Sequence, residues 1–264
     1  MAVSDDIRKE KEKAKDMSFK GKLSYFWYYY KVHTIVAIVI IVFLCALIKD
    51  ISSSKDYAFY ATYFNAEQTF SAEEQMEAFA AYADLDTEKY NVYLDSDMYY
   101  GASDMSETSL AASQKFTAMI YSGDVDVVVA DESTFTNYAL NETFFDLREV
   151  LPEDLLEKYK DRLFYIDGNT IEIYNSDETY LATGDHDAYY DLITESLENT
   201  TDPSIMENPI PVGIYVGDTP VISDAGCYQG NFVPVYGIVQ NTRKIDVAID
   251  YLRFLGEEEA VTTK

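Results

Sequence analysis

Asp124-Val-Asp-Val-Val-Val-Ala130 decides how this chain folds. Val127 to Ala130 is apolar without alternation, the pattern of a strand buried on both faces, as in a parallel sheet covered by helices. Just before it, Ser106 to Tyr121 repeats at helical spacing, with Ala112, Phe116, Met119 and Ile120 on one face and Gly123 as its stop. Further back, Tyr90–Leu94 (YNVYL) reads as a strand. Ser71 opens a helix with Glu74 in the reciprocal capping position, and Met76, Phe79, Ala80 and Ala83 share its inner face. Tyr57–Phe64 (YAFYATYF) is an aromatic-rich strand. Strands and helices alternating with connections this long predict an α/β fold, a parallel-rich sheet flanked by helices.

Beyond Ala130, Asp146-Leu147 leads to Pro152, which opens a helix over Glu153–Tyr159. Leu163–Ile166 and Thr170–Tyr174 flank Asp167-Gly168-Asn169, a hairpin signal. Asp187–Leu197 is expected to be helical, and Asn199–Pro203 a polar loop. Pro211–Val216 and Phe232–Val239 read as strands, and Thr242 as the cap of a last helix with Ile245, Ala248, Leu252 and Leu255 inward. The chain contains no internal repeat.

At the other end, Val32 to Ile48 is 17 residues without a charge. At the helical rise they span roughly 26 Å, against a hydrocarbon core of about 30 Å. Six consecutive aromatics, Tyr25 to Tyr30, precede them where an interfacial belt lies. Up to Lys31 the chain carries eight Lys/Arg against five acids, while the remainder of the 20 basic and 47 acidic residues lies beyond. Cations stay cytoplasmic, so the amino terminus is expected inside and everything after Ile48 outside. A cleaved signal peptide fits poorly, because its charged region is too long and Lys49-Asp50-Ile51 lacks small residues. Lipidation at Cys45 fits poorly too, because Phe43-Leu44 precedes it. The expected organisation is a cytoplasmic Lys/Glu-rich tail (1–22), an aromatic belt and membrane helix (23–48), a linker (49–56) and an extracellular domain (57–264).

Composition narrows the partners. Apolar residues make up 48% of the chain, which argues against disorder. Its two cysteines, one in the apolar run, leave the outer domain to be held by packing alone. A net charge of −27 repels nucleic acid and anionic lipid. Most of the 24 tyrosines fall in strand-like segments and read as packing residues.

Ser122-Gly-Asp-Val-Asp-Val-Val-Val-Ala-Asp131, then Phe145-Asp146-Leu147 and Leu151-Pro-Glu-Asp-Leu155, resembles type II extracellular solute-binding proteins. The closing Tyr236-Gly-Ile-Val-Gln-Asn241 strand and the helix to Leu255 are similar to that family's carboxy-terminal elements. The resemblance implies a binding-protein fold with a small second lobe at about 168–210, and a non-catalytic role. Its members are usually longer, and lipid-anchored or freely periplasmic. The anchor with its YFWYYYK run also resembles single-pass membrane proteins of low-GC Gram-positive bacteria.

No catalytic or phosphate-binding motif occurs, and His186, between Asp185 and Asp187, is the one histidine of the outer domain. Asp84-x-Asp86-x-Glu88 starts like a calcium loop but has Lys89 where glycine is needed. No enzyme, cofactor or metal centre is expected. In open parallel sheets ligands bind beyond the carboxyl ends of the strands. Asp97, Tyr99, Tyr100, Asp131 and Tyr215 are therefore expected to form an acidic, aromatic cleft for a cationic or sugar-like small molecule. A helix start near Ser133 offers backbone N–H groups to an anion. Two functions compete: a tethered ligand-binding domain serving a transporter or receptor, and a scaffold of a surface or transporter assembly whose cleft is filled. Deleting the Lys-rich tail should leave the outer domain folded but scramble or invert insertion. Protease digestion of intact cells reads this, and an unaltered orientation contradicts the charge argument.

Overall fold

An uncharged apolar run can satisfy its own backbone as a helix, and Phe19–Ser53 is one unbroken helix of 35 residues, α1. In this computed structural model, residues 18–53, 55–67, 70–99, 106–175, 202–228, 230 and 232–257 are described. They belong to two units, Met1–Lys55 and Asp56–Lys264. Within the first, Tyr30–Lys49 is long and apolar enough to cross a membrane, with none of it buried against protein. The helix continues through Ser53, so the expected linker shrinks to the residues just before β1.

The second unit begins with β1 (Tyr57–Phe64), α2 (Ala72–Tyr82), β2 (Asn91–Met98), α3 (Glu107–Ser122) and β3 (Val127–Asp131). Ser71 accepts the amide of Glu74 at the start of α2, Ser106 that of Ser109 at the start of α3, and Gly123 ends α3 at φ 73°. That positive φ is where a glycine is needed. Then follow α4 (Glu132–Leu140), α5 (Leu147–Val150), α6 (Glu153–Lys158), β4 (Leu163–Asp167), α7 (Gly168–Asn175), β5 (Pro209–Tyr215), α8 (Pro220–Ala225), β6 (Pro234–Ile238) and α9 (Ile245–Leu255).

The six strands form one sheet in the order β2-β1-β3-β6-β5-β4. β1 pairs in parallel with β2 and β3, whereas β6 is antiparallel to β3 and to β5, and β4 is antiparallel to β5. The chain leaves β1 to one side through α2 and returns across it through α3. Crossovers of one hand then put the two helices on opposite faces. The cores confirm it. Phe79 of α2 packs with Phe59, Tyr251 and Phe254 on one face, and Phe116 of α3 packs with Phe64, Phe135 and Tyr138 on the other. Phe135 lies so close to the sheet that a Cβ on Gly213 or Gly237, in adjacent strands, would come within 2.8 or 2.7 Å of its ring. No side chain fits there.

Two expectations are corrected. Residues 168–175 are not the second arm of a hairpin but the helix α7, and β4 pairs with β5. The Asp167 carboxylate explains the turn, accepting the amides of Asn169, Glu207 and Asn208 and so tying α7's start to the approach to β5. Thr242 does not cap α9, whose N-cap is Lys244. Instead its hydroxyl donates to Asp126. The expected helix 187–197, His186 and most of the expected second lobe lie outside the described residues. α7, at that lobe's start, packs on the common sheet through Tyr174.

Asp126 is fully buried at the entry to β3. Its carboxylate accepts the Tyr60 amide at 2.8 Å, the Thr242 hydroxyl, and Lys244 Nζ at 3.0 Å. Its backbone amide donates to Tyr60 O, and its carbonyl accepts from Val239. One residue thus joins β1, β3, the end of β6 and the start of α9. Asp126→Ala orphans a buried amide and hydroxyl and should cost about 3 kcal/mol, with Asp126→Asn costing less. The one Trp, Trp27, lies in α1, so the readout is urea unfolding followed by near-UV circular dichroism of the buried tyrosines. An unchanged midpoint for Asp126→Ala refutes the assignment.

Candidate functional site

At the carboxyl ends of β1, β3 and β5 the polar groups are turned on one another. Asn65 takes φ 57°, a left-handed value that Asn tolerates better than most residues. Its amide Nδ2 donates to Asp131 Oδ2 at 2.8 Å. Asp131 is the N-cap of α4, accepting the Thr134 amide at 3.1 Å and its hydroxyl at 2.7 Å. The carboxylate therefore already occupies the helix start where a bound anion was expected, and Ser133 lies inside the first turn. The Tyr215 hydroxyl donates to Glu132 Oε1 at 2.7 Å, and that of Tyr228 to the Val129 carbonyl at 3.0 Å. Burial, then the Cys227 thiol, pushes the Tyr228 hydroxyl far above its usual range, so it stays protonated and can donate.

Of the residues expected to converge, Asp131, Ser133 and Tyr215 do sit together at this seam. Asp97 and Tyr99 do not. β2 is four strand positions from β5 in the sheet order, roughly 19 Å at the usual strand spacing. Both are exposed at the sheet's edge. Tyr100 lies outside the described residues.

Beneath the seam the first core holds a buried polar chain. Gln75 Nε2 donates to the hydroxyls of Tyr63 at 3.0 Å and Tyr251 at 2.7 Å, which bond each other at 2.7 Å. Burial raises both tyrosines well above their ordinary values and pushes the Cys227 thiol up to about 12. These groups stay protonated at neutral pH, and the cluster has no nucleophile or base to offer.

An open concavity lies elsewhere. A groove of about 530 Å³ runs between α2 and β2. Glu73, Met76, Glu77 and Ala80 form one stripe of α2 along it, and Asn91–Leu94, Ser96 and Asp97 of β2 form the opposite wall. Met76, Ala80 and Leu94 are buried and make an apolar floor, whereas Glu73, Glu77 and Asp97 are exposed at the rim. The end of β2 is held by buried Asp95, which accepts Lys115 Nζ at 2.6 Å, the Tyr60 hydroxyl at 3.2 Å and the Asp97 amide at 3.2 Å. Burial, reinforced by Asp95, keeps the Tyr60 hydroxyl protonated and donating. The rule that ligands sit beyond strand ends does not point to this groove. Its signal was two glutamates flanking Met76 on a helix next to an edge strand.

No protein-family model and no curated protein matches the sequence. Among solved structures, iron-bound HitA from Pseudomonas aeruginosa is similar at 11% identity, with a TM-score of 0.35 over 78% of this chain and 84% of that one. The PBP AgtB from Agrobacterium tumefaciens R10, in complex with agropinic acid, is similar at 14% identity and a TM-score of 0.33, over 77% and 79%. AttC from strain C58 of the same organism, open and unliganded, shows 12% identity and a TM-score of 0.31, over 78% and 81%.

Asp131→Ala should destabilise the domain by about 1 kcal/mol, the usual cost of a lost N-cap, while Asp131→Asn should cost markedly less. Urea midpoints of the two variants check this. Equal losses would mean that capping is not the carboxylate's task.

Proposed function

We propose that this chain is a non-catalytic binding module, held at the cell membrane by α1 with residues 57–264 outside. Its binding surface on this reading is the groove between α2 and β2. The observation that carries it is the groove itself. Its volume falls in the range of about 300–1,000 Å³ typical of ligand sites, and it joins an apolar floor to rim carboxylates. The asymmetry of charge around the apolar segment supports the outside placement. The sequence resemblance to type II extracellular solute-binding proteins points to binding as well.

A second reading, a scaffold domain of a surface or transporter assembly, is favoured by the seam at the strand ends. There Asn65, Asp131 and Thr134 bond one another, as do Glu132 and Tyr215, leaving few groups turned outward.

A thermal-shift screen of the full chain in detergent, against sugars, amino acids, polyamines and short peptides, separates the two. A saturable rise in melting temperature for one class, lost in the Glu73→Gln/Glu77→Gln double variant, supports the groove. A flat response across all classes favours the scaffold.

A further inference from the structure

Resting on the binding reading above, we propose that the groove's occupant is an extended, basic segment of a partner protein, added to the sheet as a further strand along β2. Three observations carry this. The first is the place of β2 in the sheet. It stands at one end of the strand order and, among the described strands, pairs with β1 alone. An edge strand presents a row of backbone N–H and C=O groups that another chain can take up.

The second is the shape of the groove. Its β2 wall runs from Asn91 to Asp97. In extended chain that is roughly 20 Å, the length of about six residues. A compact solute contacts a fraction of this wall, and an extended peptide contacts all of it.

The third is charge and alternation. Successive side chains of an added strand point to opposite faces of the sheet. Those on the α2 side meet Met76 and Ala80 at the floor and Glu73 and Glu77 at the rim, while Asp97 stands at the far end. Among the described residues that line the groove, none is Lys or Arg. Long basic side chains suit that side, their stems over the floor and their heads at the carboxylates. On the opposite face the neighbour is Tyr93, 44% exposed and in tilted ring contact with Tyr57 and Tyr60. An apolar or aromatic residue fits there as a cross-strand partner. The occupant therefore alternates basic and apolar residues. A second copy of this chain, at net charge −27, is disfavoured by the same carboxylates.

The test uses the full chain in phosphatidylcholine nanodiscs, a neutral bilayer that does not itself collect basic peptides. Four probes are titrated by fluorescence anisotropy: a capped Lys-Val alternating heptapeptide, its Glu-Val counterpart, the Lys-Val peptide N-methylated at alternate residues, and labelled spermidine. The Lys-Val peptide should bind saturably, and the Glu-Val peptide should not. N-methylation, and separately Glu73→Gln/Glu77→Gln/Asp97→Asn, should each weaken binding by about tenfold or more. The three substituted residues are exposed, and near-UV circular dichroism verifies that the variant stays folded. Equal binding of the N-methylated peptide, or of spermidine, overturns strand addition while leaving a binding groove in place. Failure of all four probes overturns the strand proposal, while the groove reading stands or falls separately with the thermal-shift screen.

Discussion

A single buried carboxylate, Asp126, holds together parts of the chain that are far apart in sequence. It reaches Tyr60 in the first strand and Thr242 and Lys244 ahead of the last helix. A charge in a dry interior is tolerated only when its oxygens are fully occupied. Both ends of the domain must therefore be in place before this site is satisfied. The packing repeats the arrangement. Tyr251 and Phe254 of α9 lie against Phe79 of α2, with ring centroids 4.8 and 5.5 Å apart. The last helix is thus part of the first core rather than an appendage.

That constraint shapes where the surface can work. The strand ends above β1, β3 and β5 are drawn shut by Asn65, Asp131 and Thr134, in contacts that also cap α4. The opposite is true along β2, which among the described strands pairs with β1 alone and has α2 beside it. The sheet is closed at its ends and open at one edge. Binding through an edge uses the backbone for affinity and leaves side chains to select the partner. A domain can recognise something specific in this way without burying its partner in a cleft.

Much of the architecture was legible in the sequence, because strong local signals agree with the tertiary fold. The apolar run Val127–Ala130, the Ser71 cap and the Gly123 stop all perform the roles their residue types predict. The hairpin at Asp167-Gly168-Asn169 was misread because Asp167's carboxylate is spent on the distant amides of Glu207 and Asn208, a contact no local pattern reveals. Thr242 accepts the Lys244 amide locally, but its hydroxyl proton goes to Asp126, 116 residues away, which no local pattern reveals. The candidate site was harder still. The rule that ligands sit beyond strand ends gives no strand order, and that order separates Asp97 from Tyr215. Glu73 and Glu77 drew no notice because exposed glutamates on a helix are ordinary until the neighbouring strand is known to be an edge.

The account's central claim is a sheet pinned at its middle and open along β2. Native-state hydrogen exchange of the full chain in nanodiscs, resolved residue by residue, tests it most directly. Amides of β1, β3 and β6 should exchange together at the slowest rate, through global unfolding, while the outward-pointing amides of β2 exchange far faster. Protection of every β2 amide to the level of β3 would show that this edge is already covered and would contradict the account.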